Sequence, residues 1–335
     1  MYYKSLFVLS LMIGTLISIS SYSWMGMWMG LEINLLSIIP LMSSTKNMLT
    51  SEATLKYFIV QAMASTVFLF SIIITSLSFS FELNFNMYMI LILNSSLLTK
   101  MGAAPFHFWF PEVMEGLNWI NSMIMLTWQK IAPMILISYF NTNISYFIII
   151  IIFSMLISGI LGINQTSLRK ILAYSSINHI GWMISAIMIS PAIWLFYFFI
   201  YCVITVNIGL IFWMLNIYYV NQLFISLNSN PMIKFFFMMN FLSLGGLPPF
   251  LGFMPKWLLI NSLIISNFYM LAFIMTVMTL MTLYFYLRIT FSTLLLNKTQ
   301  ISYYIEQKPK LNLIMTSNFI SIISLIFITI SVNFN

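Results

Sequence analysis

Apolar runs of about twenty residues follow one another along this chain with little pause, and the polar positions collect between them. Residues 144–162, ISYFIIIIIFSMLISGILG, show no alternation of polar and apolar positions, which rules against barrel strands. A run of about 20 residues is what an α-helix needs to cross the hydrocarbon of a bilayer. In that solvent only helices or closed barrels satisfy every backbone N–H and C=O, and these runs read as helices. The pattern predicts an all-α membrane protein of about eleven transmembrane helices, near 4–20, 24–43, 53–77, 87–115, 117–139, 144–162, 168–189, 192–217, 232–264, 268–290 and 312–331. Connections are short apart from a polar loop at 219–231 and a longer one around 296–311. The expectation is one membrane domain over 1–335, with no soluble module.

Composition agrees. Of 335 residues 61% are hydrophobic and 6% charged, too little polar surface for a soluble exterior of this size. The net charge of +7 is scattered between apolar runs, so a membrane surface is its expected counterpart and no nucleic acid is. Its distribution is one-sided. Lys4, Lys46, Arg169, Lys170, Lys234, Lys298, Lys308 and Lys310 fall on one side, while the opposite loops near 21–23, 78–86, 140–143, 190–191 and 265–267 hold no Lys or Arg. This positive-inside pattern puts the amino terminus in the synthesising compartment and the carboxyl terminus across the membrane. The single cysteine, Cys202, excludes an intrachain disulfide and a cysteine-held iron–sulfur cluster. No G-x-G-x-x-G or Walker sequence supports nucleotide binding, and the apolar run after Lys4 leads into further spans rather than to a cleavable leader. The 28 methionines, beside no aspartate, fit either a biased genetic code or soft packing residues at helix interfaces.

Two spans are long and interrupted, one through Leu98–Glu112 and one through Leu242–Lys256. They match at Leu98/Leu242, Gly102/Gly246, Pro105/Pro249, Phe106/Phe250 and Pro111/Pro255, each pair 144 residues apart. Five predicted helix starts separate them, an odd number, so the copies enter from opposite sides. Gly/Pro-interrupted segments at corresponding places in two halves point to a transporter built of inverted repeats. The expected halves are 4–140 and 144–292, with 312–331 an extra helix. Each break frees backbone groups at membrane depth, tolerable where protein or water satisfies them. A kink used only for packing is the alternative.

Ionisable residues shift that balance. Glu32, Lys100, Lys130, His179 and Lys256 fall well inside predicted spans. A charged side chain at mid-bilayer costs ~2.5–3.5 kcal/mol on insertion scales and normally faces a bundle interior or wet cavity. Lys100 and Lys130 each sit about 13 residues into their helices, roughly 20 Å of rise, beyond the reach of a snorkelling side chain. Burial disfavours the charged form of such groups and a nearby opposite charge restores it, so a row of them can hold or release a proton in turn. Histidine ordinarily titrates near neutral pH, which suits His179 to a bridging position. Taken singly, each residue reads equally well as a structural ion pair or hydrogen bond; for all five together, proton relay is favoured. Other polar groups have simpler readings. Glu52 and Lys56 form an i,i+4 pair with Lys56 snorkelling, His107 bonds carbonyls freed by the first break, Glu112 and Glu115 favour a helix start, and Arg288 anchors in headgroups.

The stretches Trp28–Asn34 (WMGLEIN), Lys100–Glu112 (KMGAAPFHFWFPE), Leu126–Pro133 (LTWQKIAP), Ser175–Trp182 (SSINHIGW) and Asn240–Lys256 (NFLSLGGLPPFLGFMPK) resemble the NADH–ubiquinone oxidoreductase chain 2 family, and within it the mitochondrially encoded subunits of animals, arthropods in particular. The resemblance implies an antiporter-like subunit in the membrane arm of respiratory complex I. It implies that Glu32 pairs with Lys100, that Lys130 and His179 continue a central polar axis, and that Lys256 closes it. Electron transfer would lie in other subunits holding NADH, FMN, iron–sulfur clusters and ubiquinone, with no cofactor or metal in this chain. Partners would be other membrane-arm and supernumerary subunits and membrane lipid, cardiolipin included. The location implied is the mitochondrial inner membrane, with the amino terminus in the matrix and the carboxyl terminus in the intermembrane space. Bacterial relatives carry three further helices at the start, and the resemblance to animal members implies that this chain is without them. Two other classes stay open: a stand-alone cation/proton antiporter, disfavoured by the lack of a mid-membrane aspartate pair, and an assembly subunit whose buried charges only specify packing.

Overall fold

Glycine, proline and hydroxyl side chains decide where the helices of this chain stop. The computed structural model describes residues 2–44, 47–81, 86–140, 143–227, 231–248, 250–295, 316, 318 and 319. The helix expected over 312–331 lies outside the described residues, apart from 316, 318 and 319. Among the described residues the chain is all-helical, with one isolated β-bridge between Ser167 and Tyr219. Among the described residues eight segments are long and apolar enough to cross a membrane, and Met87–Met101, Pro231–Gly245 and Phe253–Ile265 are shorter apolar helices. The chain forms two compact units, Met1–Ser154 and Met155–Asn335.

The first unit holds α1 (Tyr2–Ser20), α2 (Trp24–Met42), α3 (Met48–Phe81), α4 (Asn86–Met101), α5 (Trp109–Gly116), α6 (Trp119–Leu126), α7 (Trp128–Tyr139) and the start of α8 (Ile144–Ile163). Ser23 caps α2, its hydroxyl accepting from the Gly26 N–H at 3.2 Å. α1 and α2 meet closely at Gly14 and Gly30, where a Cβ on Gly30 would come within 2.8 Å of the Gly14 carbonyl. Small residues let membrane helices approach and gain dispersion contact that lipid would otherwise supply. α1 turns Leu6, Leu9, Ile13 and Leu16 outward, the reverse of a soluble helix. The helix expected over 117–139 divides at Thr127 (φ −113°, ψ −71°). There the Thr127 hydroxyl and N–H both bond the Met123 carbonyl, at 2.7 and 3.0 Å, and Pro133 removes another donor one turn on.

The second unit holds the rest of α8, then α9 (Leu168–Ile189), α10 (Pro191–Leu215), α11 (Val220–Ser226), α12 (Pro231–Gly245), α13 (Phe253–Ile265) and α14 (Tyr269–Leu295). Ser190 caps α10 with Pro191 in its first turn, and Asn216 closes it in the left-handed region. α11 lies inside the stretch expected as a polar loop over 219–231. Its start is tied down by Leu168 N–H to Tyr218 O at 3.0 Å and Val220 N–H to Thr166 O at 3.1 Å. α9 is buried on all sides from Ile171 to Ile187, although Ser175, Ser176, Asn178, His179 and Ser185 make it one of the more polar helices. α10, α13 and α14 pack against it.

Both broken spans end in the same way. α4 stops at Met101, and the next residue, Gly102, has φ +72°; α12 stops at Gly245, and Gly246 has φ +78°. The N–H of Gly102 bonds Thr99 O at 3.2 Å and that of Ala103 bonds Leu98 O at 3.1 Å. In the second break Gly246 N–H reaches Ser243 O at 3.0 Å and Leu247 N–H reaches Leu242 O at 3.4 Å. These paired bonds are Schellman caps, which require a left-handed residue where glycine alone has no Cβ penalty. The half-helices resume at Trp109 and at Phe253, so the breaks stay in step. Pro249, one member of the five matched pairs, lies outside the described residues.

Candidate functional site

A Schellman cap leaves the last carbonyls of a helix without backbone donors. In water they would be hydrated; at membrane depth side chains must serve them. In the first break the Gln61 side-chain N–H reaches the Lys100 carbonyl at 3.3 Å, and the Trp109 indole N–H reaches Thr99 O at 3.0 Å. In the second break Lys256 does this work. Its Nζ donates to Leu244 O at 3.3 Å and Gly245 O at 2.9 Å, at the negative end of the α12 dipole. The two breaks thus place their lysines differently: Lys100 stands on the half-helix before the break, Lys256 on the half-helix after it.

Within the first unit, Lys100 is 7% exposed and lines a small polar cavity with Asn34, Tyr57, Gln61, Gln129 and Pro133. The cavity measures about 20 Å³ for the centre of a water-sized sphere, room for roughly one water. Asn34 and Gln129 are joined across it, Gln129 Nε2 donating to Asn34 Oδ1 at 2.8 Å. Glu32, half-buried on α2, is next in the chain to the lining residue Leu31 and two residues from Asn34. Among the described residues no direct salt bridge joins Glu32 to Lys100. Lys130 is 1% exposed on α7, its Nζ 5.8 Å from the centroid of the Phe110 ring. Gly102 makes room for that ring, since a Cβ there would lie 2.9 Å from the Phe110 Cβ.

Within the second unit, His179 is 4% exposed on α9, with Nδ1 2.8 Å from the Tyr197 hydroxyl of α10 and its ring 5.0 Å from that of Tyr201. Trp182, one turn further along α9, carries Lys256 5.7 Å from its ring centroid. Lys256 is 7% exposed. The five sequence-predicted residues are therefore embedded in the two units: Glu32, Lys100 and Lys130 in the first, His179 and Lys256 in the second.

The remaining polar residues fall as follows. Lys56 bridges Glu52 at 2.8 Å and Glu112 at 2.9 Å, so Glu112 joins α5 to α3 besides occupying the first turn of α5. His107 bonds a carbonyl of the break, its Nδ1 3.3 Å from Pro105 O. The Arg288 guanidinium donates to Ile163 O at 3.2 Å. Among the described residues no three His, Cys, Asp or Glu side chains gather as a metal cage requires. Asn34, Gln61, Gln129 and Tyr197 were missed in the sequence reading. Their signal was present, as carboxamides and a phenol inside apolar runs, but uncharged groups of this kind also serve ordinary helix packing.

The family model for NADH:quinone oxidoreductase/Mrp antiporter transmembrane proteins matches residues 21–282. A relative from Aedes aegypti named NADH-ubiquinone oxidoreductase chain 2 is 53% identical over 332 residues, covering 98% of this chain and 97% of its own. This chain belongs to the NADH-ubiquinone oxidoreductase chain 2 family. A member from Anopheles gambiae is 51% identical over 98% of this chain and 95% of its own length. Among solved structures, a chain of respiratory complex I from Thermus thermophilus superposes with TM-score 0.86 at 22% identity, over 96% of this chain and 77% of that one. A chain of the Mrp complex from Dietzia superposes with TM-score 0.72 at 17% identity, over 84% and 59% respectively. These likenesses establish the antiporter-like fold of the chain 2 family member described here.

Proposed function

We propose that this chain is a membrane-arm subunit of the proton-pumping NADH:ubiquinone oxidoreductase of the mitochondrial inner membrane, and that Glu32, Lys100, Lys130, His179 and Lys256 carry its protons. The observation that carries this reading is a buried amine set beside a water-sized polar cavity at a helix break, with the half-buried Glu32 next in the chain to Leu31 of its lining. An amine in that setting can gain or lose a proton according to the charge of its neighbour. Loosening the influence of Glu32 would dispose Lys100 to release its proton, and a change of charge along the membrane arm is the stimulus. Electron transfer belongs to other subunits, with their NADH, FMN, iron–sulfur clusters and ubiquinone. The other membrane-arm subunits, supernumerary subunits and lipid such as cardiolipin are the proposed partners.

The finer architecture belongs to the same proposal: about eleven spans, with 4–140 and 144–292 as inverted repeats, 312–331 as an extra helix, the amino terminus in the matrix and the carboxyl terminus in the intermembrane space. The matched Schellman caps at Gly102 and Gly246 support the repeat. The proton reading is tested with Lys100→Met and Glu32→Gln in the intact complex. Both should cut protons translocated per NADH at least twofold while assembly stays at wild-type level; unchanged pumping in assembled complex refutes it. The contacts of Lys256 favour a second reading at that one position, a helix cap rather than a proton carrier. If so, Lys256→Met lowers assembly and leaves pumping per assembled complex unchanged.

A further inference from the structure

The cavity beside Lys100 offers more hydrogen-bonding capacity than one lysine uses. The Asn34–Gln129 bond occupies the Asn34 carbonyl oxygen and one Gln129 N–H. That leaves the Asn34 amino group and the Gln129 side-chain carbonyl for whatever fills the space. Pro133 lines the same cavity and has no N–H, so the backbone carbonyl of Gln129, one turn earlier, lacks its intrahelical donor. These groups belong to residues that line about 20 Å³, together with Leu31, Leu35, Tyr57 and Lys100. A single water with two to four such partners fits that volume and chemistry.

We propose that the Asn34–Gln129 carboxamide pair is a latch that holds a bridging water against Lys100, so that these two amides are positioning residues for the proton Lys100 carries. The inference rests on the proton-carrying role proposed for Lys100. Carboxamides suit the task because each offers a donor and an acceptor without titrating, and their mutual bond orients both toward the cavity. In the transfer step an Nζ–H bond of Lys100 breaks as the water oxygen takes that proton. One of the water's own O–H protons passes on to Lys130 in its neutral amine form, which follows Lys100 on the proposed path and becomes the ammonium. Lys100 is left a neutral amine, the water is restored, and neither amide changes protonation.

The test uses the assembled complex reconstituted in vesicles, reading protons translocated per NADH oxidised and the amount of complex on native gels. Gln129→Met keeps side-chain length and removes the amide; the exchange double variant Asn34→Gln with Gln129→Asn keeps both amides and their summed length. Lys100→Met is measured alongside. The single variant should lower the proton ratio at least twofold, and the exchange variant should restore most of it. If Lys100→Met is impaired while assembled Gln129→Met pumps as wild type, the latch is refuted and the role of Lys100 stands. If both pump normally, the role of Lys100 falls as well. Should Gln129→Met fail to assemble, the exchange variant decides: assembled and pumping as wild type supports the latch, assembled with a ratio at or below half of wild type overturns it, and failure to assemble also overturns it, since a pair that can be exchanged must then be tolerated.

Discussion

Replacing Gly246 by alanine and, separately, its neighbour Gly245 by alanine adds the same methyl group to two adjacent positions with opposite expected results. Gly246 has φ +78°, where an L side chain costs ~1–2 kcal/mol. Its new Cβ would also meet the Lys256 side chain, at 2.8 Å from Cδ and 2.9 Å from Nζ. That chain is flexible enough to swing away, but doing so gives up its bonds to the Leu244 and Gly245 carbonyls, worth about 1 kcal/mol each. The two carbonyls are then left at membrane depth with their donor withdrawn, so the loss totals about 3–4 kcal/mol, a large share of the ~5–15 kcal/mol that holds a domain folded. Gly245 is helical, and a Cβ there meets Tyr286 and Leu283 at 3.7 and 3.8 Å, ordinary contact distances. Gly245→Ala should therefore be neutral or slightly stabilising. The assay is the amount of complex assembled in membranes and the temperature at which half of its NADH–ubiquinone activity is lost. Equal behaviour of the two variants would refute the argument that Lys256 and a left-handed residue jointly hold the second break.

Two further outcomes follow from the same contacts. Gln61→Leu removes the donor to the freed Lys100 carbonyl and should destabilise the complex by about 1–3 kcal/mol, seen as a lower half-inactivation temperature; an unchanged temperature would show that another group serves that carbonyl. Tyr197→Phe removes the hydroxyl at 2.8 Å from His179 Nδ1 and should at least halve the protons translocated per NADH with assembly intact, whereas wild-type pumping would remove Tyr197 from the reading.

Several features were already decided by the chain itself. Lipid forces backbone groups to pair within a segment, so apolar length alone predicts helices, and the runs near 4–20, 144–162 and 168–189 are helical as expected. The two breaks were legible because glycine followed by proline leaves the backbone few alternatives. The buried lysines and His179 stood out because charge is scarce in lipid. Other features awaited the fold. The division at Thr127 depends on which carbonyl a hydroxyl takes, and the sequence pattern of an apolar run does not show it. α9 is buried all round although it is the least apolar of the candidate spans among the described residues, because packing rather than apolarity sets which helix is enclosed. Which amide faces Asn34, and how Glu32 stands to Lys100, depend on helices far apart in sequence. Local periodicity carries no information about them; only the tertiary packing brings those side chains together.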